Sequence, residues 1–412
     1  MVSDPAATLM DAVHANDSSR VAELLARHPE LKRRLNTPLP GSDFGAPAIT
    51  CAVEHGNREL IQILLQAGAD INARSDWWAG SFGVLDTAQP DLVPFLLERG
   101  ARLDAHSAAR LGRLDDLRRF VATDPKVVRA RGGDGQSPLH FASTVEVARF
   151  LLDHGADINA LDVDHESTPA QWMMESRHDV VRFLVTRGCR TDILMAAGLG
   201  DLDLVRQFLD ADPASLRTCV FDTWFPMRDP RAGGSIYRWT LGWMKTAHQV
   251  ARGFGHEDVF QFLMDRSPAD LRLVVACELD DEAAVRQLLA AQPDLAQSLS
   301  DLDRRRLSEA ANGNRTGVVK LMLSAGWPPS APGQFGGTAL HWAAWHGNAA
   351  MVREILRYHP EVQSRSNDWS STPLEWAGHG ADNSWHRATG DYRAVTESLV
   401  QAGGGTSGGV KS

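Results

Sequence analysis

Apolar positions along this chain recur at helical spacing in short stretches of the form V-x-x-F-L, each closed by Gly-Ala-Asp or by a proline-containing turn. Val147, Phe150 and Leu151 make one such stripe; Val180, Phe183 and Leu184 make another. Steps of three and four residues place each set on one face of a helix and predict that this face is buried against its neighbours. The stretch can be followed through twelve copies: 21–29, 60–68, 92–100, 117–125, 147–155, 180–188, 205–213, 259–268, 285–293, 318–326, 352–360 and 395–403. Twelve units of about 33 residues would fill about 396 residues, close to the 412 of the chain. A shorter helix is predicted ahead of each copy. Its start is explicit at Ala46-Pro-Ala-Ile, Ser137-Pro-Leu-His, Thr168-Pro-Ala-Gln, Thr338-Ala-Leu-His and Thr372-Pro-Leu-Glu. A Ser or Thr hydroxyl can cap the free N–H groups of a first turn, and proline is tolerated at the first helical position. Glycine then closes the short helix, as in His55-Gly56-Asn57 and His346-Gly347-Asn348.

Thr-Pro-Leu-His-x-Ala-Ala, Gly-His or Gly-Asn, and Leu-Leu-x-x-Gly-Ala-Asp-Ile-Asn together resemble the ankyrin repeat, most closely at 46–73, 137–160 and 338–359. The resemblance runs over roughly 6–404. It implies an all-α ankyrin-repeat solenoid of about twelve helix–turn–helix units with hairpin loops, whose curved groove binds proteins. It implies no catalytic residues. The domains predicted are repeats 1–7 over 1–216, an aromatic-rich insertion over 217–245, repeats 8–12 over 246–403 and a flexible Gly/Ser tail over 404–412. Three junctions, Arg102–His106, Arg190–Leu194 and Ala269–Leu273, are too short for a hairpin. The insertion holds Phe221, Trp224, Phe225, Tyr237, Trp239 and Trp243 among turn residues. It is predicted to stand outside the helical stack as an ordered finger or lid, so that its deletion leaves the stack folded.

Composition narrows the function. A single core rarely grows past about 250–300 residues, which suits an elongated array. The net charge of −10 argues against a nucleic-acid groove and against anionic lipid. No apolar run approaches the roughly 18 residues of a membrane span, and Met1-Val-Ser-Asp-Pro begins no secretory signal. The scattered Cys51, Cys189, Cys219 and Cys277 contain no C-x-x-C pair and read as reduced, buried side chains. Arginine outnumbers lysine 37 to 5, a codon bias that points to a GC-rich bacterial genome. A cytoplasmic monomer with a partner protein on its concave face, and no cofactor, is therefore expected.

Tryptophan is the unusual residue, at twelve copies. Trp342 and Trp376 occupy the leucine slot of the repeat and are expected in the core. Trp77, Trp78, Trp345 and Trp369 are expected to face the groove. The densest constellation is C-terminal: His341, Trp345, His346, Asp368, Trp369, Trp376, His379, Asn383, Trp385, His386, Asp391 and Tyr392. Gly378–Gly390 reads as a loop inserted between the two helices of the last repeat and able to fold over Trp345 and His346. Trp345, His346, Trp369, His379, Trp385 and Asp391 are the predicted binding residues, because aromatic anchors give large contact area with few rotors. The blander reading is that these aromatics seal a terminal repeat with no further neighbour. The rival functional reading is a small-ligand-binding protein or enzyme with a Trp/His/Asp pocket, which would require polar groups converging on one closed cavity. His341 fits the Thr-Pro-Leu-His position, where the ring ties a loop backbone. His379 and His386 lie seven apart, not at the i, i+4 spacing of a helical metal pair; no metal site and no catalytic residue is predicted. Gly132-Gly133-Asp134-Gly135 lacks the strand and the Gly-Lys-Ser/Thr of a phosphate loop and reads as the turn before Ser137-Pro138. Asp301-Leu-Asp-Arg-Arg-Arg-Leu reads as a solvated helix start.

Overall fold

Each apolar stripe becomes the second helix of a pair. Val145–Asp153 buries Val147, Ala148 and Leu151, and His178–Thr186 buries Val180, Val181 and Leu184. This computed structural model describes residues 4–366 and 368–403; the tail expected over 404–412 lies outside the described residues. Among the described residues there is no β-strand, and no helix is long and apolar enough to cross a membrane.

The first helices begin where side chains cap them. Thr168 accepts the Gln171 N–H at 3.3 Å while the Gln171 carboxamide accepts the Thr168 N–H at 2.9 Å. Thr372 and Glu375 repeat this reciprocal cap, which satisfies two orphan donors at once. An aspartate does the work at two of the junctions without a hairpin. Asp104 accepts from the Ser107 N–H at 2.8 Å and Asp192 from the Met195 N–H at 2.9 Å. There the preceding helices Val93–Glu98 and His178–Thr186 end on Gly100 and Gly188, both left-handed. At the third junction only Ser267 and Pro268 separate Glu257–Arg266 from Ala269–Glu278.

The chain divides into one compact unit ending at Lys245 and a second starting at Thr246. In the first, the segment expected to stand apart from the helices is anchored against them. Its base is closed by the Val220 N–H donating to Lys245 O at 3.0 Å and the Met244 N–H donating to Val220 O at 2.9 Å. Its far part lies on the turn at 164–167. The Arg228 and Asp229 N–H groups both donate to Glu166 Oε1 at 2.9 Å, and the Ile236 N–H donates to Ser167 Oγ at 3.1 Å. Ile236 and Tyr237 are buried, and the Tyr237 hydroxyl donates to Asp192 at 3.0 Å. The segment therefore supplies core, and the expectation of a dispensable finger is corrected on that ground.

The core of the second unit contains Trp342 and Trp376, as expected, and also Trp327, whose indole N–H donates to Asp303 O at 3.0 Å. The charged run at 301–307 is corrected too: Arg306 is 2% exposed. It lies on the inner face of the helix Asp301–Asn312, where Asp303 at 3.2 Å and Glu278 at 3.5 Å compensate its charge. A buried guanidinium needs such partners, because desolvation costs several kcal/mol.

His341 ties its hairpin as predicted. Its Nδ1 accepts the Thr338 N–H at 3.1 Å, leaving Nε2–H to donate to Ser371 O at 3.1 Å. His248 is buried in the same unit, 2.8 Å from Ser267 Oγ. Burial pushes both imidazoles down to about 4. The unfolded chain, with ordinary histidines near 6.5, binds protons that the native state refuses, so this stability is present above pH 6.5 and lost as pH falls toward 4. Going from pH 7 to pH 5 is expected to cost on the order of 2 kcal/mol per histidine. Hydrogen exchange at Ala247–Gly253 and Ala339–Trp345 in the whole protein, corrected for intrinsic rate, reads this directly; undiminished protection at pH 5 would count against it.

Candidate binding site

The C-terminal aromatics meet because helical spacing repeats on neighbouring helices. Trp342 and Trp345 are three apart on Ala339–Trp345, and Trp376 and His379 are three apart on Pro373–Asn383. The two helices come into backbone contact at Gly380, where a Cβ would lie 2.3 Å from Trp345 O. Trp342 and Trp376 then meet edge-on with centroids 5.0 Å apart, and Trp345 and His379 lie 5.4 Å apart. The hairpin ahead of each helix adds one ring. Phe335 and Trp369 lie 5.0 Å apart, and Trp369 is 5.4 Å from Trp376. Trp385, just past the longer helix, completes the wall 6.4 Å from Trp345. Together they enclose a cavity of about 530 Å³, with Trp369 57% and Trp385 75% exposed at its mouth.

Of the predicted site residues, Trp345, Trp369, His379 and Trp385 line this cavity. His346 does not. It is buried, donates from Nε2 to Asn312 O at 2.8 Å, and lies beside Trp385 and His386 at 6.0 and 5.1 Å. The turn at 384–390 covers it, whereas His55, at the matching place in its own repeat, has no such cover and is exposed. Burial depresses the His346 pKa. Asp391 is likewise a structural residue, accepting the Ala394 N–H at 3.0 Å to cap the last helix. The loop expected over 378–390 is shorter than predicted. The helix continues to Asn383 through Gly378 and Gly380, and Gly380 permits the close approach to Trp345.

Phe335, Ser371 and Glu375 also line the cavity and were not foreseen. Phe335 had a legible signal, since it stands one repeat length before Trp369. The polar lining groups are engaged within their own elements. Glu375 accepts the Thr372 N–H at 2.7 Å, the Ser371 hydroxyl donates to Trp369 O at 3.0 Å, and His379 Nδ1 is 3.3 Å from the Asn383 amide. What remains facing the cavity is mainly ring surface, suited to apolar or cationic groups.

Family comparison decides the repeat type. Models of ankyrin repeats match residues 44–76, 105–194 and 307–358. These segments are ankyrin repeats. The chain also matches the palmitoyltransferase akr1 of Schizosaccharomyces pombe (strain 972 / ATCC 24843), with 34% identity over 65 residues. That match covers 15% of this chain and 10% of the fungal protein, about two repeat lengths. The chain thus spans about a tenth of that relative's length. Ankyrin repeats mark a protein-interaction module, and the cavity lies between the matched segment at 307–358 and the helix pair that follows it.

Proposed function

We propose that this chain is a protein-binding ankyrin module whose last two repeats hold an extended apolar segment of a partner protein in the tryptophan-walled cavity. The observation that carries this reading is the pair of exposed indoles, Trp369 and Trp385, at the mouth of a cavity with an aromatic floor. Large exposed aromatics in one patch mark interaction sites, and a partner side chain entering such a pocket is the usual form of a binding hot spot. The engagement of Glu375, Ser371 and His379 within their own elements weighs against the enzyme or polar small-ligand reading, which needs converging polar groups. The boundaries 1–216, 217–245 and 246–403, twelve repeats, and a cytoplasmic monomer of bacterial source belong to the same proposal. So does the absence of a cofactor and of a catalytic residue at this cavity.

The test is affinity capture from the native host with the intact protein and with a Trp369→Ala/Trp385→Ala variant. Both changes are at exposed positions, so unfolding should stay nearly unchanged. Partners that depend on the cavity should be lost by at least tenfold, as expected when anchors worth about 2 kcal/mol each are truncated. An identical captured set from a folded variant would defeat the proposal.

A further inference from the structure

A second cavity, of about 810 Å³, lies in the first unit. There charged groups do converge. Trp77, Trp172, Trp239 and Phe44 form aromatic wall, and Asp134, Asp164 and His165 lie on its lining. One oxygen of each carboxylate and one ring nitrogen of His165 all lie within 4.8 Å of one another.

Backbone geometry brings these residues together. Asp134 sits at a hairpin tip with φ of +52°, and its carbonyl accepts the Val163 N–H at 2.8 Å and the Asp164 N–H at 3.3 Å. The 217–245 segment closes the third side. The Gly233 N–H donates to Asp164 O at 2.9 Å, and Gly234 O is 2.8 Å from His165 Nδ1. A carbonyl only accepts, so Nδ1 carries a proton and Nε2 is the ring nitrogen left to the carboxylates. That Nε2 lies 3.4 Å from Asp164 Oδ2, in a side chain nine-tenths buried. A proton or a metal cation can bridge the two atoms. A ring N–H held by a carbonyl is also the arrangement that orients metal-ligating histidines.

The surrounding charge is negative. Asp162 lies beneath, accepting the His165 N–H at 2.6 Å and the Trp172 indole N–H. Arg231, on the cavity wall, is turned to Asp229 at 2.7 Å and stacked over Trp78. Burial, followed by the neighbouring Asp164 and Asp162 charges, raises the Asp134 carboxyl to about 6, against the pull of His165 and the Trp77 hydrogen bond. Space is tight on one side: a Cβ at Gly233 would lie 3.2 Å from the His165 ring and 3.3 Å from the Asp164 carboxylate.

We infer that Asp134, Asp164 and His165 form a binding site for one first-row divalent cation, such as Mn²⁺ or Zn²⁺, open to the cavity. Ligand atoms about 2.0–2.2 Å from a shared ion stand about 3.0–3.6 Å apart when adjacent and at most about 4.4 Å when opposite. Nε2 and Asp164 Oδ2 already stand 3.4 Å apart, and a pair at the 4.8 Å limit of the cluster has to close by roughly an ångström. One imidazole with two carboxylates suits these ions better than the all-oxygen shells of Ca²⁺ or Mg²⁺. The remaining coordination positions point into the cavity, where water or an oxygen-bearing ligand can fill them.

The experiment uses the full chain, stripped with EDTA and dialysed, then titrated with MnCl₂ followed by electron paramagnetic resonance of free Mn²⁺, and with ZnCl₂ by calorimetry. One ion per chain is expected at micromolar concentration or below. Asp164→Asn keeps the backbone bonds of the turn and should weaken binding at least tenfold; His165→Gln should do the same. Circular dichroism checks that both variants are folded, and the wild-type titration stands whether or not they are. Absence of saturable uptake of either ion by wild-type protein at 100-fold excess overturns the inference. Uptake that folded variants retain in full also overturns it.

Discussion

Tyr237→Ala is expected to cost the first unit about 3–5 kcal/mol, the range for emptying a large aromatic site. Tyr237 has no exposed surface, although it belongs to a segment between repeats. Its hydroxyl also serves Asp192, the half-buried cap of the helix Ile193–Leu199. Losing that donor leaves the carboxylate with the Met195 and Leu194 N–H groups and a long contact to Gln171. Tyr237→Phe separates the two effects and should cost less, about 1.5–3 kcal/mol, the value of a lost hydrogen bond to a charged group. Protection of Ile193–Leu199 against hydrogen exchange, measured in the whole protein, reads this unit without averaging over the other. A loss below 1 kcal/mol for Tyr237→Ala would show that the segment is not part of the core. Deleting 221–243 should act in the same direction, because Ile236 is buried there as well.

At the other end, Trp376→Ala should destabilise the second unit by about 3–5 kcal/mol, while Trp385→Ala should change it by less than about 1 kcal/mol. Trp376 is buried among Trp342, His341, Trp345 and Trp369. Trp385 is three-quarters exposed and leaves little void when removed. Unfolding of the whole protein in urea, followed by exchange at Ala339–Trp345, distinguishes them. Comparable losses from both substitutions would mean that Trp385 seals the terminal repeat, and the case for a binding mouth would fall with it.

The helices were legible because their signals are local. Val180, Phe183 and Leu184 specify a stripe, and Thr168 with Gln171 or Thr372 with Glu375 specify a start, without reference to the rest of the chain. His341 could be read for the same reason. Burial of residues that depend on a neighbour's backbone could not be read. Nothing near Arg306 in sequence announces Glu278, which lies on a different helix. The inserted segment was read as able to fold over His346, but nothing near His346 in sequence shows that this cover buries the ring and takes it out of the cavity while His55 stays open. The C-terminal cavity was half legible: clustering found Trp345, Trp369, His379 and Trp385, Phe335 was legible only through its offset of one repeat from Trp369, and Glu375 required knowing which hairpin lies beside which helix. The cluster of Asp134, Asp164 and His165 went unread because its members come from two turns, and a third segment supplies the carbonyl that fixes the ring.

Phe44, Asp134 and Phe335 occupy the same left-handed tip, at φ of +51°, +52° and +58°, each followed by a left-handed glycine, Gly45, Gly135 and Gly336. The tip keeps the same backbone under an aromatic ring and under a carboxylate, although aspartate tolerates the left-handed region better than a bulky residue does. An aromatic ring can therefore be exchanged for a carboxylate without renegotiating the helices below. In this chain the scaffold and the vocabulary are separately written, and a new specificity can be composed one letter per repeat.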